Sequence, residues 1–116
     1  MCSSDLLRTM DIPAIDVTEL AALLETGVPL IDVREDDEYA EVRVPGAVLI
    51  PLGEIPDRVA EVPSGETVYV ICAKGGRSAK AVEHLRQQGL DAVNVAGGTL
   101  GWIDAGFPTD HGPGSA

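Results

Sequence analysis

The chain is short of aromatic side chains, basic side chains and cysteine, and each shortage removes a class of protein. One Trp, two Tyr and one Phe stand among 116 residues. A core therefore has to be assembled from Val, Ile, Leu and Ala, and an apolar fraction of 45% supplies enough of them for one domain. Eight Lys and Arg against nineteen Asp and Glu leave a net charge of −11. That excludes nucleic acid as a partner, because phosphate backbones are held by a basic face, and it works against adsorption to an anionic membrane. No apolar run approaches the roughly 18 residues of a membrane-crossing helix. No basic segment followed by an apolar stretch marks a secretory signal. Two cysteines, Cys2 and Cys72, are too few for a disulfide framework. No Cys/His cluster has metal-ligand spacing and there is no P-loop, so neither a metal nor another cofactor is expected. The expectation is a reduced, cytoplasmic domain.

What is present alternates between strand and helix. Residues 1–11 are polar and unpatterned, a flexible arm; residues 12–109 carry the domain; residues 110–116 form a Gly/Pro/Ser tail expected to be disordered. Ile12 to Ile15 reads as a first strand, followed by a helix with Thr18 as N-cap, Leu20, Leu23 and Leu24 on one face and Gly27 as its stop. Short apolar runs at Leu30–Val33, Ala47–Ile50, Thr67–Ile71 and Ala92–Val95 read as buried strands. Between them, Arg34–Val42 reads as a loop and solvated helix, Leu52–Val62 as a helical stretch interrupted by Pro56, and Arg77–Gln88 as a helix. Leu100–Ala105 reads as a last short helix. No hairpin signal joins consecutive strands. This is the pattern of an α/β domain with a mostly parallel central sheet and helices on both faces.

The charge is unevenly distributed, and one short window runs against the total. Residues 72–80 hold Lys74, Arg77 and Lys80 and no acid, in the stretch Cys72-Ala73-Lys74-Gly75-Gly76-Arg77-Ser78. Cys72 stands where the strongest strand ends and a helix begins, the place where parallel α/β sheets hold their ligands. Two glycines let the backbone curl with its N–H groups inward, and such a nest at a helix N-terminus attracts negative charge. With Lys74 and Arg77 nearby, the thiol should be largely thiolate at neutral pH and so nucleophilic. A cysteine at a strand end is ordinarily packing, but packing does not call for a diglycine, two cations and a helix start within six residues. Arg77 in a first helical turn opposes the helix dipole, which is more easily explained by a bound anion. His84 and His111 offer no evident base for Cys72. Trp102 reads as a core plug near the site.

Cys72 to Arg77 resembles the six-residue active-site loop of the rhodanese sulfurtransferases, Cys-x-x-Gly-x-Arg. Leu30-Ile31-Asp32-Val33-Arg34, Val44-Pro45-Gly46-Ala47 and Gly97-Gly98-Thr99-Leu100-Gly101-Trp102 resemble further marks of that family in the same order, over about residues 12–108. The resemblance implies a rhodanese-like fold and a ping-pong transfer of sulfane sulfur. The donor would be thiosulfate or a similar small molecule, the intermediate a Cys72 persulfide, and the acceptor cyanide, a thiol or a protein. Cys72 would be the nucleophile. Ala73, Lys74, Gly75, Gly76 and Arg77 would cradle the persulfide, and Ser78 would cap the helix or donate to the sulfur. Asp32 and Arg34 would brace the loop, with Arg34 the nearer of the two to substrate. Two positions depart from the family pattern. Arg43 stands where a His is common, and Ala73 where Arg or Tyr is common. The related Cys-dependent phosphatases and arsenate reductases carry five residues between Cys and Arg. Here there are four, a loop better suited to one sulfur atom than to a tetrahedral phosphate. A persulfide-relay or partner-binding module without turnover of its own is the other alternative, with the acidic stretch Glu35 to Glu41 as a docking face.

Overall fold

Val68–Ile71 forms the centre of the sheet, as its β-branched and aromatic side chains require. The computed structural model describes residues 12–112; the expected arm and residues 113–116 of the expected tail lie outside the described residues. In chain order the elements are β1 (Ala14–Ile15), α1 (Val17–Leu24), β2 (Leu30–Asp32), α2 (Asp36–Glu41) and β3 (Val48–Leu49). Two 3-10 turns follow (Leu52–Glu54 and Val59–Glu61), then β4 (Val68–Ile71), α3 (Gly76–Gln87), β5 (Ala92–Val95) and α4 (Gly98–Asp104). The five strands run in the order β1-β5-β4-β2-β3, and every pairing is parallel.

A parallel sheet needs cover on both faces, and the period of two along β4 distributes the core accordingly. Val68, Val70 and Cys72 face one cluster, formed with Ile31, Val33, Ile50 and the α3 residues Ala81, Val82 and Leu85. Tyr69 and Ile71 face the other, formed with Leu20, Leu30, Tyr39, Val95 and Trp102. The thiol of Cys72 is thus set by strand parity on the face that α3 covers.

Local chemistry explains where the elements differ from the sequence reading. The cap of α1 is Asp16 and not Thr18. The Asp16 carboxylate accepts from the Glu19 N–H at 2.8 Å while Glu19 accepts from the Asp16 N–H at 3.1 Å, a reciprocal capping box. The stretch 52–62 makes two separate 3-10 turns around Pro56, since proline leaves no N–H for a continuous helix. The helix α2 is not simply solvated: Tyr39 is buried, and its hydroxyl donates to the Ala47 carbonyl.

Arg43 is buried at the position where the family pattern has His. Its guanidinium lies 4.5 Å from the centre of the Tyr39 ring and donates to the carbonyls of Tyr39 and Gly112. Its backbone pairs with Asp110 in both directions, and the Gly112 N–H donates to Ala40. Residues 110 and 112, placed in the disordered tail by the sequence reading, are therefore hydrogen-bonded into the domain. The long, planar Arg side chain reaches a segment that Gly and Pro content alone does not reveal.

Asp32, fully buried at the end of β2, meets the Arg34 guanidinium at 3.0 Å (Nε to Oδ1) and 2.8 Å (Nη2 to Oδ2). Removing one partner of such a pair leaves a buried charge uncompensated. Asp32→Ala is expected to lower the unfolding free energy by about 3–5 kcal/mol, measured by urea denaturation. A loss well under 1 kcal/mol would mean that water replaces the carboxylate there.

Candidate active site

The loop after β4 turns its amides toward one sulfur atom. Cys72 is 1% exposed. The Gly75 N–H donates to its Sγ at 3.0 Å, and the Ser78 hydroxyl donates to the same atom at 3.3 Å. Gly75 makes this approach with φ of +109°, in the left-handed region that side chains avoid, and serves as N-cap of α3 with no side-chain cap. Ser78 therefore donates to sulfur; the alternative of a capping role is not realised. Burial pushes the Cys72 thiol up, but the Ser78 hydroxyl and the amides of Ser78, Gly75 and Lys74 outweigh it, so that its pKa lies below the ordinary thiol value. The positive end of the α3 dipole points the same way.

The loop's outer carbonyls are taken by α4. The Thr99 N–H donates to the Cys72 carbonyl at 2.7 Å and the Leu100 N–H to the Ala73 carbonyl at 3.0 Å. This seat exists because residue 98 is glycine: a Cβ there would come within 2.4 Å of both carbonyl oxygens. The Gly97-Gly98 pair thus belongs to the site as well as to a turn. Trp102, on the next turn of α4, is buried. It stacks with Phe107 at 4.7 Å and donates to the Pro108 carbonyl, beside a groove that Ala21, Leu24 and Pro45 also line.

The cations are placed differently from expectation. Arg77 is engaged with Glu38 of α2, Nη1 to Oε1 at 2.8 Å and Nη2 to Oε2 at 3.0 Å. The anion that explains an arginine in a first helical turn is a side chain of the protein itself. Glu38 is held at a pKa of about 2, chiefly by its hydrogen bond from Arg77, against burial, with help from the Glu35 amide and the charges of Arg77 and Arg34. Arg34 is 4% exposed and spends its guanidinium on Asp32 and on the Val42 carbonyl at 2.7 Å. These contacts fit the expected bracing role and tie β2 to the segment just past α2. Lys74 and Lys80 are exposed, Lys74 on the loop itself; Gly76 is exposed and Ala73 half-buried.

Two residues in the constellation were not singled out from the sequence. One is Glu38, hidden in a run of acids that reads as a solvated face. The other is Asn94 on β5, 8% exposed, which accepts from the Ser78 hydroxyl at 2.5 Å and donates to the Gly75 carbonyl at 3.4 Å. A polar residue inside the apolar run Ala92–Val95 was the available signal. The Ser78 hydroxyl has one proton and two acceptors within reach, Asn94 at 2.5 Å and the sulfur at 3.3 Å, so the two compete for that proton while Asn94 fixes the serine oxygen beside the sulfur. Among the described residues no group of His, Cys, Asp and Glu could hold a metal ion, and no helix is long and apolar enough to cross a membrane.

Known proteins resemble the chain in sequence and in fold. The chain is 38% identical over 95 residues to YtwF of Bacillus subtilis (strain 168), named as a candidate sulfurtransferase, covering 80% of this chain and 92% of that one. It is 38% identical over 82 residues to a protein of Allochromatium vinosum named Sulfurtransferase, covering 70% and 77%. The crystal structure of a rhodanese-like domain protein from Staphylococcus aureus superposes with a TM-score of 0.78 at 41% identity, covering 86% of this chain and 98% of that one. Residues 16–105 match the family description "Rhodanese-like domain". With that match over most of its length and this cysteine loop at the end of β4, the chain belongs to the rhodanese-like family of sulfurtransferases and sulfur carriers.

Proposed function

We propose that the chain moves a sulfane sulfur from thiosulfate or a similar donor to a thiophilic acceptor, which is cyanide, a thiol or a protein, through a persulfide on Cys72. The observation that carries this reading is the convergence of the Gly75 amide and the Ser78 hydroxyl on the sulfur of a cysteine whose pKa lies below the ordinary value. The Cys72 thiolate attacks the outer sulfur of the donor; the donor's S–S bond breaks and its electron pair leaves with the inner sulfur, as sulfite in the case of thiosulfate. The cysteine then carries a persulfide. Its terminal sulfur occupies the cradle formed by Ala73, Lys74, Gly75, Gly76, Arg77 and Ser78, whose donors favour an anion. An acceptor nucleophile takes that sulfur and restores the thiolate. Asp32 and Arg34 fix β2 beside the loop, and Asn94 fixes Ser78. The setting we read as cytoplasmic, where the thiol stays reduced between turnovers.

Incubation with thiosulfate or an alkyl persulfide, followed by intact mass measurement, is expected to show a gain of one sulfur atom that Cys72→Ser abolishes. A folded protein that gains no sulfur from any donor would overturn the reading. Ser78→Ala removes a hydrogen bond that lowers the Cys72 pKa, so the pKa rises. The midpoint of the pH dependence of iodoacetamide alkylation is expected to move up by about one unit. An unmoved midpoint would assign the activation to the backbone amides alone.

A further inference from the structure

We propose that Glu38 determines donor specificity: by occupying Arg77 at the rim of the loop, it disfavours doubly charged thiosulfate and favours a donor that carries its sulfane sulfur on carbon, an alkyl or cysteinyl persulfide. The inference rests on the sulfur-transfer reading above and names the substrate class of that site.

The geometry is that of a filled anion site. Both terminal nitrogens of Arg77 are matched to both oxygens of Glu38, the fork-to-fork arrangement that an oxyanion of the donor would otherwise use. The pair sits at the surface, its side chains 37% and 33% exposed, and Arg77 is close enough to Cys72 for their charges to interact. Glu38 does not swing away freely, because its Oε1 also accepts the Glu35 amide at 3.0 Å and so caps α2. The carboxylate is ionised across the whole working range of pH. Thiosulfate would have either to displace a capping residue or to bring two negative charges beside a carboxylate, with Asp36, Asp37 and Glu41 exposed on the same helix. Lys74 then remains as the exposed cation of the loop, with no carboxylate in ion-pair distance among the described residues.

A persulfide donor escapes this penalty. The Cys72 thiolate attacks the terminal sulfur of R–S–SH, the S–S bond breaks, and R–S⁻ leaves with the electron pair. Cys72 becomes Cys–S–SH, and the total charge of −1 is unchanged. With thiosulfate the same attack gives Cys–S–S⁻ and SO₃²⁻, so a charge of −3 has to gather beside Glu38. One positive charge at Lys74 suits the first reaction, whereas the second calls on the arginine that Glu38 holds.

The test compares thiosulfate with the persulfide of 2-mercaptoethanol at low salt, following sulfur loading of Cys72 at varied donor concentration. The unaltered protein is expected to show kcat/KM at least about tenfold higher with the persulfide. Glu38→Gln, which keeps an acceptor for the Glu35 amide and for Arg77, is expected to lower the KM for thiosulfate by about tenfold with kcat unchanged, and so to narrow the preference. Glu41→Gln, on the same helix and outside the site, should leave the preference as it was. Equal kcat/KM for the two donors in the unaltered protein overturns the inference even if Glu38→Gln fails to fold. An equal shift from Glu41→Gln also overturns it, because the overall field would then be responsible. Failure of both donors to load Cys72 would instead overturn the sulfur-transfer reading itself.

Discussion

Two hydrogen bonds from the start of α4, Thr99 N–H to the Cys72 carbonyl and Leu100 N–H to the Ala73 carbonyl, carry the geometry of this site. A loop of four residues between a strand and a helix has few ways to satisfy its carbonyls. When those of Cys72 and Ala73 are drawn toward α4, the amides that follow are free to turn to the sulfur. The partners of this contact are far apart in sequence and meet because β4 and β5 are neighbours in the sheet. Glycine at 98 is the condition for it, since a methyl group there would collide with both oxygens. The sheet order, the diglycine and the cradle are thus one constraint seen at three scales.

The same dependence explains how a buried thiol can be acidic. Burial alone favours the neutral form, and here it is the largest single influence on Cys72. What reverses it is a set of short-range donors fixed before any substrate arrives, and this costs no rearrangement at the moment of reaction. The formal charges contribute less than the sequence suggests. Arg77 is matched by Glu38, and Arg34 by Asp32. Of the three cations in the window around Cys72, Arg77 is matched by Glu38, while Lys74 and Lys80 are exposed.

The parts legible in the sequence were those written in local chemistry. Strands of Val, Ile and Leu, the Gly75-Gly76 turn after Cys72 and the four motifs in order were enough to give the fold class and the loop. The parts that were not legible depend on who faces whom across the fold. Glu38 is one of five acids in residues 35–41, and no one-dimensional pattern distinguishes the one that meets Arg77, because helix α2 must first be docked beside the loop. Arg34 follows the same rule: its position next to a motif aspartate fits substrate contact and bracing alike, and only the fold shows its guanidinium held by Asp32 and the Val42 carbonyl. Asn94 was legible in principle, as a polar interruption of an apolar strand, but the meaning of that interruption depends on Ser78 lying opposite it.

Arg43 shows how a departure from a family pattern can be absorbed. A histidine at this position would reach only nearby groups, whereas the arginine stacks on Tyr39 and extends to Gly112. It draws residues 110–112 against the end of α2, with the backbone pairing of Arg43 and Asp110 and the bond from Gly112 to Ala40 completing the seam. Tyr39, under the guanidinium, is fixed in turn by its hydroxyl on Ala47. The helix that carries Glu38 is thereby held from three sides: by Arg34 on the Val42 carbonyl just past its end, by Tyr39 in the core and by the segment that Arg43 gathers. A six-residue helix has too few hydrogen bonds of its own to place a carboxylate to within a hydrogen-bond distance. The substitution at 43 therefore bears on the site through the rigidity of α2, and so on whether Glu38 meets Arg77 or leaves it open to an anion from solution.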